Sequence, residues 1–136
     1  MSQLFSLKGR VALVTGASRG IGAAIARALA HAGAHLTLIG RSRDSLENIA
    51  AELRALTRVH TEAVDITDNA AVHTAMQAAE QALGPIHILV NNAGVGTAVP
   101  ATHETPEQFR SVLDVNLFGA YWMSQAFAKA NKNGGA

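Results

Sequence analysis

Hydrophobic and polar positions along this chain switch between two periods. Short apolar runs fall at Val11–Val14, Leu36–Ile39 and Ile86–Val90, with a mixed run at Val59–Val64. Runs of this length bounded by glycine or polar residues predict buried strands. Between them the apolar residues recur at helical spacing. Ile21, Ile25, Ala28, Leu29 and Ala32 predict one helical face, and Leu46, Ile49, Ala50, Leu53 and Leu56 a second. Val72, Met76, Ala79 and Leu83 predict a third. Gly33 and Gly84-Pro85 stand where helices should stop; Asp68 and Thr105-Pro106 stand where they should start. The last part predicts two helical segments, Pro106–Asn116 and Leu117–Ala130, or one bent helix. Strands alternating with helices predict an α/β fold, in which right-handed crossovers build a parallel sheet covered on both faces.

Composition narrows the picture without changing it. The 136 residues are long enough for one domain with a real core, 1–136. With 49% hydrophobic and 15% charged residues, disorder is excluded. A net charge of +1 with scattered basic residues gives no nucleic-acid face. The chain has no cysteine, which excludes disulfides and thiolate metal sites and fits a cytoplasmic setting. No signal-peptide pattern opens the sequence, and no apolar stretch is long enough to span a bilayer, so no membrane partner is expected. His103-Glu104-Thr105-Pro106-Glu107 lacks a second histidine at the spacing of a zinc motif, so no metal site is expected.

The chemistry concentrates at Thr15-Gly16-Ala17-Ser18-Arg19-Gly20-Ile21-Gly22, between the first strand and the first helix. Glycines let the backbone turn sharply and admit a bulky anion. The helix N-terminus adds unpaired N–H groups and the positive end of its dipole. This predicts a nucleotide diphosphate site; a tight turn without a ligand is the plainer reading. Dinucleotide sites for NAD usually place a carboxylate about 20 residues on, at the ribose hydroxyls. Here the second strand runs into Arg41-Ser42-Arg43. A guanidinium can grip a 2′-phosphate that a carboxylate would repel. Arg41, with Arg19, Ser42 or Arg43, therefore points to NADP(H), the alternative being a solvated loop cation.

Four motifs in order then resemble the short-chain dehydrogenase/reductase family, and ketoacyl reductase-like members within it. They are the Thr15–Gly22 loop, Val64-Asp65-Ile66-Thr67, Asn91-Asn92-Ala93-Gly94 and Asp114-Val115-Asn116-Leu117-Phe118-Gly119. The resemblance covers essentially the whole chain. It implies a Rossmann-type doubly wound parallel sheet, here about four strands in the order 3-2-1-4. It also implies hydride transfer between NADP(H) and a small carbonyl or alcohol substrate. The cofactor contacts it assigns are Gly16, Ala17, Ser18, Arg19, Gly20, Ile21, Gly22, Arg41, Ser42, Asp65, Ile66, Asn92, Ala93 and Gly94. Asp65 would accept a hydrogen bond from the adenine amino group, although a turn or cap role is open to it. Asn91 and Asn92 can tie strand ends together. A simple Asx turn is their alternative.

Asn116 interrupts an apolar stripe of Phe109, Val112, Leu113, Leu117 and Ala120, and a buried amide needs a defined hydrogen-bond role. The resemblance makes Asn116 a catalytic residue, at a kink where a water relays protons toward a lysine; a purely structural asparagine is the alternative. The family's catalytic serine and its Tyr-x-x-x-Lys pair are not matched. Tyr121 is the sole tyrosine, it follows Asn116 too closely, and Gln125 stands four residues on. The reading is thus the cofactor-binding portion of a reductase, truncated before the catalytic segment and inactive alone, with Asn131–Ala136 a loop toward a fifth strand. The full-length family implies a homo-oligomer, a dimer or tetramer. The alternatives are a stand-alone nucleotide-binding or interaction module that pairs with a longer homologue, or two chains that complement each other.

Overall fold

Four strands form one sheet in the order β3-β2-β1-β4, all parallel. The computed structural model describes residues 3–131. The elements are β1 (Val11–Thr15), α1 (Gly20–His31), β2 (His35–Gly40), α2 (Arg43–Leu53), β3 (Val59–Ala63), α3 (Asn69–Leu83) and β4 (Ile88–Val90). They are followed by α4 (Pro106–Leu113), a π-helical turn at Asp114–Gly119 and α5 (Ala120–Ala130). The expected order 3-2-1-4 is observed, and the last two segments are one helical run broken only by the π turn. The expected loop at Asn131–Ala136 lies, beyond Asn131, outside the described residues.

The central strands are buried on both sides, as their unbroken apolar runs require. Ala12, Val14, Leu36 and Leu38 point to the face covered by α1 and α2. Val11, Leu13 and Ile39 point to the face covered by α3 and α5, through Val72, Met76, Ala79, Met123 and Ala126. Thr37 shares that second face, and its Oγ1 is the one buried side-chain polar atom without a partner among the described residues. Caps set the helix starts: Ser42 accepts from Ser45 N, Asp68 from Ala71 N, and Thr105 forms a capping box with Gln108.

Several expected faces are corrected. Ile21 and Ala28 are exposed, and α1 instead buries Gly22, Ala23, Ala26 and Ala30. Small residues line that face because the helix lies close on the sheet, where larger side chains have no room. Ile25 and Leu29 flank the contact, half-buried. Leu56 lies beyond the end of α2 and is exposed. In β4 the pairing starts at Ile88 rather than Ile86, because His87 takes both bonds to Val11. Its N–H donates to Val11 O at 2.9 Å and its ring Nδ1 accepts from Val11 N at 2.9 Å. The stripe expected to bury Asn116 is open: Phe109, Asn116 and Leu117 are all exposed, since no described element packs over them.

Candidate functional site

The carboxyl ends of the four strands open into a cleft of about 320 Å³. Its floor is the turn after β1. Gly16 has φ +61°, and a Cβ built there would meet Ala93 Cα at 2.9 Å, so only glycine fits. A Cβ on Gly22 would run into the Gly16 carbonyl. The turn is pinned to the end of β4 by a polar knot. Thr15, 1% exposed, accepts at Oγ1 from Asn92 N at 3.0 Å and Ala93 N at 2.9 Å. Asn92 Nδ2 donates to Thr15 O and Gly16 O, each at 3.1 Å. Asn91 Nδ2 donates to Ser124 Oγ at 3.0 Å and so fastens α5 to the same strand end. These asparagines do tie elements together, as the residue type suggests.

α1 begins at this turn without a side-chain cap. Its N-cap is Arg19, which makes no capping hydrogen bond, and its first turn holds no acid. The first N–H groups and the positive dipole end therefore face the cleft lined by Ser18, Arg19, Gly20 and Ile21. Ile21, 74% exposed, is an apolar wall of the cleft rather than a core residue. Ala17 is wholly buried beneath the turn and donates its N–H to Ile39 O at 3.2 Å.

Arg41 lines the cleft directly after β2. Among the described residues neither the Arg41 nor the Arg19 side chain has a hydrogen-bond or ion-pair partner. Arg43 lies outside the lining, and its charge acts on Glu47 along α2. Ser42 also lies outside the lining, its hydroxyl spent on the α2 cap.

Asp65 stands beyond the end of β3, and its Oδ1 accepts from Thr67 N at 3.0 Å and Thr67 Oγ1 at 2.7 Å. These two bonds, ahead of the more distant charge of Arg41, hold its carboxyl below the usual aspartate range. Ile66 lines the cleft, and its Cδ1 would meet a Cβ on Gly119 at 2.6 Å, so the π turn rests against it. Asn116 sits on that turn. Its Oδ1 accepts from Val95 N at 2.8 Å and its Nδ2 donates to Val95 O at 2.9 Å. The side chain thus pairs like a strand with the segment after Gly94, at the rim of the cleft rather than in its lining.

Ile39, Gly40, Val64, Val95 and Val115 also line the cleft and were not among the expected cofactor contacts. The first three lie within a residue or two of the ends of β2 and β3, so the strand ends carried a signal for them. Val95 and Val115 arrive by long-range packing that spacing does not show. Tyr121 is exposed on α5, edge-on to Trp122 at 5.4 Å between ring centres, and outside the lining. Among the described residues no cluster of three histidine or acidic groups could hold a metal, and no helix is long and apolar enough to cross a membrane.

Residues 10–136 match the family model described as short chain dehydrogenase. Gluconate 5-dehydrogenase of Gluconobacter oxydans is 39% identical over 93% of this chain and 50% of its own length. A short-chain type dehydrogenase/reductase from Mycobacterium marinum superposes with a TM-score of 0.91 at 34% identity, over 96% of this chain and 54% of that one. An archaeal alcohol dehydrogenase from Thermococcus sibiricus, complexed with 5-hydroxy-NADP, gives 0.85 at 38% identity, over 90% and 53%. The chain spans about half the length of the curated relatives it matches.

Proposed function

Because the chain belongs to the short-chain dehydrogenase family, we propose that its cleft binds NADP(H) and forms the cofactor half of an oxidoreductase acting on a small carbonyl or alcohol. The observation that carries the reading is the pairing of an uncapped α1 N-terminus with two cations lining the same cleft, Arg19 and Arg41, whose side chains have no hydrogen-bond or ion-pair partner among the described residues. The cofactor's anionic groups match this lining. The first-turn N–H groups of α1 would receive the pyrophosphate, and Gly16 leaves the backbone bare for its approach. Arg41, backed by Arg19, would hold the 2′-phosphate through charge-assisted hydrogen bonds. Asp65, Ile66 and Val64 would receive the adenine, and Ala93 and Gly94 the ribose. Solved relatives bound to NADP or NADPH support the cofactor class.

When bound, the nicotinamide supplies or accepts the hydride. The residues of this chain orient it: Asn92 fixes the cleft floor, and Asn116 fixes the segment that leaves Gly94. Among the described residues, no side chain of the cleft lining is placed to move the substrate proton. Asp65 is turned to Thr67, and Tyr121 lies outside the lining. The chain alone is therefore proposed to bind cofactor without turnover. The homo-oligomer proposed for the protein would draw on the exposed apolar row of Phe109, Leu117, Phe118 and Tyr121. Calorimetry with NADPH, joined to an assay of NADPH oxidation over a panel of small ketones, tests both parts. Binding without turnover is expected. Turnover that Tyr121→Phe abolishes would overturn the account.

A further inference from the structure

Arg41 does not stand alone at the adenosine end of the cleft. Gly40 pairs with Ala63 across β2 and β3, and Val64 N donates to Gly40 O at 2.8 Å. The chain leaves these adjacent strand ends as Arg41 on one side and Asp65 on the other, and both line the same cleft. Asp65 is held there by its two bonds from Thr67, both on Oδ1. The two groups form no ion pair within 4 Å among the described residues, and yet each lies in the other's field. Among the described residues, Asp65 is the only acid in the lining.

We propose that Asp65 is a specificity-determining residue that shares Arg41 with the 2′-phosphate and so limits the preference for the phosphorylated cofactor. The inference rests on the NADP(H) reading and deepens it. To grip a 2′-phosphate, the Arg41 guanidinium must turn from the field of Asp65 toward the phosphate. Part of the Arg41 attraction is then offset by Asp65, whereas a bare ribose hydroxyl meets no such penalty. The device makes the cleft favour NADPH while leaving NADH admissible.

The experiment is the ratio of NADPH to NADH affinity, by calorimetry on the full chain, in wild type and Asp65→Asn. Asparagine keeps Oδ1 for Thr67, so the turn persists. The two ligands differ only at the 2′ position, so any contact of residue 65 with adenine cancels in the ratio. Charges several ångströms apart in a partly wet cleft predict a rise of about fivefold in the ratio. Asp65→Ser, neutral and still able to accept from Thr67, should give the same rise if the asparagine variant folds poorly. In an Arg41→Ala background the rise should fall below half its size. A ratio unchanged or lowered by Asp65→Asn, or a rise as large without Arg41, overturns the inference. A wild-type ratio at or below one would instead overturn the NADP(H) reading itself.

Discussion

Single side chains carry the proposed choice of nucleotide. Arg41 stands where an NAD-type site would carry an acid, and nothing among the described residues competes for its guanidinium by direct contact. Arg41→Asp should weaken NADPH binding by about 10- to 100-fold, the worth of one or two charged hydrogen bonds. NADH binding should hold or improve in the same titrations. Arg41 and Asp65 were legible in the sequence because each directly follows a strand run, and strand ends are where such folds place chemistry. Ser42 shows the limit of that rule. Adjacent to Arg41, it had a second use as a helix cap, and spacing cannot rank two uses of one hydroxyl. Thr37 is a different residue-scale finding. Its buried Oγ1 has no partner among the described residues, so Thr37→Val removes an unpaired polar atom at nearly constant shape. The variant should be as stable as wild type or gain about 1 kcal/mol in urea unfolding.

At the scale of elements, two close approaches shape the site. The contact of α1 with the sheet is made by Gly22, Ala23, Ala26 and Ala30. A search for large apolar residues misplaces this face, because the helix must lie close for its N-terminus to reach the cleft. Gly22→Ala forces a methyl group into the Gly16 carbonyl. It should cost about 1–3 kcal/mol and weaken NADPH binding, seen by thermal melting and calorimetry. The second approach is the π turn at Asp114–Gly119, where an extra residue per turn swings Asn116 out to Val95. The sequence pointed to polar partners for Asn116 from an expected burial that the structure does not bear out. It could not show that they are the backbone of Val95, because that pairing spans 21 residues. Asn116→Ala removes both bonds at a cost of about 1–2 kcal/mol locally. Hydrogen exchange at the Val95 amide should accelerate about tenfold or more, with exchange in β1 unchanged.

For the whole molecule, the parallel sheet and its two helical layers followed from the alternation of runs, since parallel strands joined by helices have few ways to pack, whereas the order 3-2-1-4 came from the family resemblance. Periodicity alone does not show the open apolar row on α4, the π turn and α5, because it reports which residues are apolar and not what covers them. Acid stability is a whole-molecule property with a traceable source. Glu47 on α2 receives hydrogen bonds from Arg54 at 2.8 Å and from Thr61 of β3 at 2.6 Å. Those bonds, Arg54 first, lower its carboxyl to about 2. A folded value below the unfolded one means the contribution is complete above pH about 4.5 and is lost as the pH falls toward 2. Solvent around the half-exposed Arg54–Glu47 pair keeps it near 1 kcal/mol or less. Glu47→Gln should therefore lower stability at pH 7 and flatten its fall between pH 4.5 and 2 in urea titrations.

The uncapped turn of α1, together with Arg41, is proposed to make this cleft a site for a dinucleotide with a 2′-phosphate. Calorimetric titration of the chain with NADPH and with NADH, at one pH and ionic strength, tests it most directly. The account predicts saturable binding of both, with NADPH at least about tenfold tighter. Equal or tighter binding of NADH would contradict it.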